Sequence, residues 1–164
     1  MNAPPPVRWI ATDADYDTLS WHDATLHGVR FDVEQREFSL DLDWFIEATP
    51  HASGTGYAGP WICPATLVFQ GVSHIQGDLD WPADGALIDI STDSPPATCA
   101  AGCRDLGSFR WWLVKGAAGY WHLAATGFTQ YVRRRPVTVA ENEWSLRIRG
   151  GVSFARGPDA GVVV

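Results

Sequence analysis

Between Glu37 and Glu47 the positions Phe38, Leu40, Leu42, Trp44 and Ile46 are apolar, while Glu37, Ser39, Asp41, Asp43 and Glu47 are polar or acidic. Successive side chains on an extended backbone point to opposite faces, so this period of two describes a strand with one face in a core and the other in water. The preceding run agrees, with Val29, Phe31 and Val33 alternating with Arg30 and Asp32. The two runs are joined through Glu34 to Arg36, a connection short enough for a hairpin.

The same pattern continues along the chain. Trp61 to Gln70 is rich in residues that favour a pleated surface, and Ser73 to Trp81 and Ala86 to Ser91 follow as further strands. Phe109 to Lys115 and Tyr120 to Thr126 flank Gly116 to Gly119, a segment suited to a hairpin turn, and Phe128 to Arg134 continues past a kink or bulge at Gly127. Val137 to Ala140 and Trp144 to Arg149 are the last extended pieces. Thr49 to Pro60 and Thr92 to Leu106 read as irregular connections, Thr12 to Thr18 as a turn or short helix, and Gly157 to Val164 as an edge strand or a loose tail.

No stretch carries helical apolar spacing over more than two turns, and no internal repeat is present. A set of nine or ten short strands must close or stack to hide its apolar faces. The expectation is a mainly β, single-domain antiparallel β-sandwich or flattened barrel spanning residues 1–164, with residues 1–18 as an extended lead-in and little helix. At 164 residues one ordinary core suffices, and nine tryptophans supply much of its volume.

Hydrophobic residues make up 46% of the chain, which excludes disorder, and no apolar run approaches the roughly 20 residues of a membrane-spanning helix. Met1 to Trp9 holds three consecutive prolines and lacks the basic and apolar pattern of a secretory signal, so a cytoplasmic location is expected. Cys63, Cys99 and Cys103 are an odd set that closes no disulfide framework; reduced bystanders in a reducing compartment are expected.

The net charge of −7 is unevenly spread: residues 1–103 carry −12 and residues 104–164 carry +5. An acidic balance repels nucleic acid and anionic membranes at long range, so neither is the expected partner; a basic protein is. Asp41 and Asp43 share one strand face and Asp78 and Asp80 another, and neighbouring strands would merge them, with Asp32 or Glu47, into an outward acidic surface. The competing account is internal: Arg133, Arg135, Arg147 and Arg149 could sit across from those aspartates and neutralise them.

Ser20-Trp21-His22-Asp23-Ala24 is the sharpest local feature. Its ordinary role is a turn in which Ser20 or Asp23 hydrogen-bonds nearby amides; its functional role would be contact with a ligand through Trp21, His22 and Asp23. His27 shares the parity of Val29 and Phe31, which places it inward as a satisfied core histidine or, with His22 and Asp23, as part of a hydrolytic metal site. His51, His74 and His122 are scattered and add nothing to a metal set. No nucleophile elbow, phosphate-binding glycine loop or zinc-protease helix is present, and the outward-facing acids lack the buried member that a glycosidase pair needs. No cofactor and no metal are expected. The tryptophans at 61, 81, 111, 112, 121 and 144 could alternatively line a cavity for an apolar or aromatic small molecule.

Ser20 to Ala24 with Leu26, Gly28, Val29 and Phe31, then Leu40-Asp41-Leu42-Asp43-Trp44, then Pro64 to Phe69 with Gly71-Val72, resembles a group of small uncharacterised bacterial β-rich proteins. More distantly, the His-Asp-Ala opening is similar to that of immunity proteins of polymorphic toxin systems. The resemblance spans residues 20–81 and implies a cytosolic binding protein. Together these features predict a non-enzymatic binding protein, immunity-type, that uses Trp21, His22, Asp23, Asp41, Asp43, Asp78 and Asp80 on an acidic face.

Overall fold

The computed structural model describes residues 4–46, 61–79, 86–96, 109–117, 119–138 and 149–159. Ten strands are present among them: β1 (Ile10–Thr12), β2 (Ala24–Asp32), β3 (Glu37–Ile46), β4 (Trp61–Gln70), β5 (His74–Leu79), β6 (Ala86–Asp93), β7 (Arg110–Gly116), β8 (Gly119–Ala125), β9 (Gly127–Val132) and β10 (Val137–Thr138), with a 3-10 helix at Asp13–Thr18. All pair antiparallel in one sheet of order β1-β9-β4-β3-β2-β6-β7-β8-β5, with β10 added to β4. The protein is mainly β, as the alternation predicts, and the sheet is not closed into a barrel.

Two features fold this sheet onto itself. The ladder of β4 on β9 runs on, one register step displaced, into the ladder of β5 on β8. The bend lies at Gly71, whose φ of 57° is left-handed and where an added Cβ would meet the Thr126 hydroxyl at 2.7 Å. There the Thr126 amide and hydroxyl both donate to the Gln70 carbonyl, at 2.9 and 3.0 Å. On the other side β2 joins β6 through three residue pairs only, Ala24 to Leu26 against Ala86 to Ile88. The halves β1-β9-β4-β3-β2 and β6-β7-β8-β5 therefore face each other, and the core lies between them. Phe69 and Phe128 from one half meet Trp112 from the other at ring distances of 5.4 and 5.3 Å, and Phe38 meets Trp121 at 5.6 Å.

The expected hairpin between β2 and β3 is present; Arg36 in its turn has a φ of 53°, and the Asp32 carboxylate accepts from the Gln35 amide at 2.9 Å. Gly127 is also explained. An added Cβ there would lie 2.5 Å from the Asp13 carboxylate, which accepts from the Phe128 amide at 2.6 Å and so ties the 3-10 helix to β9.

Four sequence expectations change. Val29, Phe31 and Val33 are exposed rather than core: β2 pairs with β6 only as far as Leu26, and its far end runs past the facing layer. His27 is not inward, because a bulge between Leu26 and Gly28 reverses the alternation and turns its ring onto the outer face. Asp41 and Asp43 do point away from the core, yet both are buried, because residues 149–159 lie over that face. The strand expected over Trp144 to Arg149 falls outside the described residues except for Arg149, which is helical rather than extended and fully buried rather than outward. Beyond it, Asp159 is anchored by its amide donating to the Arg133 carbonyl at 2.9 Å, so this part of the tail is not loose.

Candidate functional site

The expected acidic residues divide between two outer faces with different fates. On the β3 face, Asp41 and Asp43 meet the arginines of the basic second half. Arg149 grips Asp41 with both terminal nitrogens, each at 2.8 Å, and donates from Nε to Asp43 at 2.8 Å. Its remaining hydrogen bonds go to the Gly151 and Leu42 carbonyls, at 2.7 and 3.3 Å. Asp41 also accepts from Arg133 Nη2 at 2.8 Å and from the Ser153 amide at 3.0 Å. His27 Nε2 lies 2.7 Å from Asp43, and its side chain is 9% exposed. Burial alone would lower the Arg149 pKa, but the hydrogen bonds and charges of Asp41 and Asp43 outweigh it and hold the pKa above the ordinary value. Arg133 goes the other way, lowered by burial beyond what Asp41 restores. Its Nε and Nη1 are buried without a hydrogen-bond partner, Nη1 standing 3.8 Å from the Asp159 carboxylate.

This network closes the face instead of offering it. A charge removed from water is tolerated only with paired, hydrogen-bonded neighbours, and here two carboxylates meet two guanidiniums under a covering segment. Asp78 also does not join Asp41 and Asp43, since β5 lies at one end of the sheet and pairs only with β8. Of the balancing arginines expected from the sequence, Arg133 and Arg149 take that role; Arg147 lies outside the described residues.

The other outer face belongs to β5, β8, β7 and β6. Residues directly opposite one another in antiparallel strands share a face. Asp78 is opposite Tyr120, Tyr120 opposite Lys115, and Lys115 opposite Asp89. Asp23, just before β2, donates its amide to the Asp89 carboxylate at 3.3 Å and extends the row. With strands about 4.8 Å apart, these five residues span about 19 Å, and all are exposed. The next rows are Gln76, His122, Leu113 and Ser91, then His74, Ala124, Trp111 and Asp93. Tyr120 and His122 pack edge-on at 5.0 Å, His74 lies 5.4 Å from Trp111, and His122 Nδ1 is 3.6 Å from Asp93.

Of the residues singled out from the sequence, His22, Asp23 and Asp78 are exposed, and Asp23 and Asp78 lie on this second face. His22 Nδ1 contacts the Asp23 carboxylate at 2.9 Å, and the Ser20 hydroxyl accepts from the His22 amide at 3.4 Å, as a turn role requires. Trp21, expected at a contact surface, is instead a core residue 2% exposed, donating from Nε1 to Gln130 Oε1 at 2.6 Å. Asp80 lies outside the described residues. Sequence reasoning missed Asp89, Lys115 and Tyr120. The signal existed: Asp89 alternates with Ile88 and Ile90, and Lys115 is the chain's only lysine.

Among the described residues, no group of three histidines, cysteines or acids is placed to hold a metal, and no helix is long and apolar enough to cross a membrane. A surface cleft of about 210 Å³ opens beside Asp23, Asp89 and Lys115, and no tryptophan lines it. Trp21, Trp44, Trp111 and Trp112 are buried packing residues.

Comparison of the chain with protein-family models, with curated proteins and with solved structures finds no match.

Proposed function

We propose that the protein is a non-enzymatic binding protein that receives a basic partner on the outer face of β5-β8-β7-β6. The observation that carries this is the exposed row Asp78, Tyr120, Lys115, Asp89 and Asp23, with Asp93 four residues along β6 from Asp89 on the same face. Four carboxylates and one ammonium leave this face negative. The excess of acids before residue 104 is partly cancelled on the β3 face by Arg133 and Arg149, and here it stays open to solvent. Acidic side chains interleaved with Tyr120 and the half-buried His122 and Leu113 suit protein recognition, in which charge steers the encounter and aromatic groups supply contact area. The resemblance to immunity proteins supports the same class of role in the cytoplasm, as an inhibitor of a basic toxin.

The test uses an oligolysine peptide as a generic basic probe, followed by backbone amide shifts at low salt. Shifts should concentrate at Asp23, Asp78, Asp89 and Tyr120, fade as salt is raised, and fall sharply in a D78N/D89N variant that keeps its thermal midpoint. Shifts that are spread evenly, or unchanged in that variant, would remove the basis for this face.

A further inference from the structure

The cleft at the β2 end of the row has chemistry of its own. Its rim holds Asp23 and Asp89 on one side and Lys115 on the other; Leu87, 60% exposed, supplies the aliphatic wall, and the turn after β7 closes the end. Its volume of about 210 Å³ is below the ~300 Å³ at which drug-sized sites begin. The fitting ligand is therefore small.

Its charges narrow the class further. Asp89 and Lys115 are directly opposite on β6 and β7, yet they form no ion pair, and Lys115 has no charged partner among the described residues. Asp23 and Asp89 meanwhile are neighbours at the rim, where Asp23 adopts a left-handed φ of 60° and its amide donates to the Asp89 carboxylate. That conformation is unfavourable for a side chain other than glycine, though least so for aspartate and asparagine. A cation between the carboxylates would relieve their repulsion, and an anion at Lys115 would complete its coordination. A simple anion would be repelled by the pair of aspartates, and a simple cation would face Lys115. One small molecule carrying both charges satisfies all three groups. Directly opposite residues have Cα atoms about 5 Å apart, so both poles of the cleft are within reach of a ligand whose two charges are separated by a single carbon.

We propose that this cleft binds a small zwitterion, an α-amino acid with an aliphatic side chain. The ammonium sits between Asp23 and Asp89, the carboxylate faces Lys115, and the side chain lies along Leu87. His22, in contact with Asp23, holds that carboxylate at the rim.

The experiment is calorimetric or NMR titration of the full chain with L-leucine, with isopentylamine and 4-methylpentanoate as single-charge controls carrying a comparable aliphatic group. L-Leucine should bind saturably and more tightly than either control. Asp89→Asn and Lys115→Met should each weaken it by about tenfold or more, while Asp17→Asn on the 3-10 helix should leave it unchanged; thermal midpoints establish that each variant is folded. Saturable binding of the amine as tight as that of L-leucine, no binding by any of the three, or indifference to the Asp89 and Lys115 variants would overturn the assignment. A negative result here leaves the partner-binding face standing, because that face is read by oligolysine shifts at Asp78 and Tyr120, outside the cleft.

Discussion

Replacing Arg149 by methionine keeps an unbranched side chain over β3 and removes the guanidinium. Five hydrogen bonds go with it, three of them to the carboxylates of Asp41 and Asp43. Asp43 keeps His27, and Asp41 keeps Arg133 and the Ser153 amide, but one positive charge is lost beside two carboxylates no more than 3% exposed. Breaking a buried ion pair by removing one partner costs about 3–5 kcal/mol, because the other charge is left uncompensated away from water. For a chain of this size each kcal/mol moves Tm by about 2–4 °C, so the variant should melt roughly 6–20 °C below the parent. Urea unfolding should show the same loss as a lower midpoint with an unchanged slope. Adding Asp43→Asn to the variant should recover part of the loss, since it removes a carboxylate that has lost its main cation. If Arg149→Met cost under about 1 kcal/mol, the value of an exposed pair, the carboxylates would have to be solvated. The β3 face would then be open and the division between the two acidic faces would fail.

Other consequences are narrower. Gly28→Ala places a methyl group 2.6 Å from Val152 and 3.2 Å from Phe154, so it should lift the covering segment and cost about 1–3 kcal/mol, with faster amide exchange around Ser153. Trp21→Phe strands Gln130, whose Nε2 is already buried without a partner, and should cost about 1–3 kcal/mol by urea unfolding. Burial, and secondly the charge of Asp43, push the Cys63 thiol pKa up, so native-state alkylation at pH 8 mapped by mass spectrometry should leave Cys63 unmodified until the protein unfolds. The Thr12 amide and Arg8 hold the Asp15 carboxyl below its usual range. A carboxyl lowered on folding stabilises above its unfolded pKa and loses that contribution as pH falls through the folded value. The difference in Tm between the parent and Asp15→Asn should therefore be present at neutral pH and shrink below about pH 4.

The sequence by itself determined the strands after Thr25, but not β1, which lies in the expected lead-in and is a strand only through its pairing with β9. The segments from Thr25 to Arg134 each contain an observed strand, most within one to three residues of its ends, because alternation and turn chemistry act between near neighbours along the chain. It also determined which residues of a strand share a face: Phe38, Leu40, Leu42 and Trp44 lie in the core, and Asp41 and Asp43 point away from it. What lies over each face was decided elsewhere. Alternation cannot distinguish an outward face in water from an outward face under residues 149–159, and Asp41 and Arg149 are more than a hundred residues apart. The bulge beside His27 reversed the parity of one strand, and the end of β2 pairing at Leu26 left Val29 and Phe31 uncovered; both depend on partners distant in sequence. The same holds for the row from Asp78 to Asp89. Its members belong to four strands, and only the register of their antiparallel pairing brings them into line.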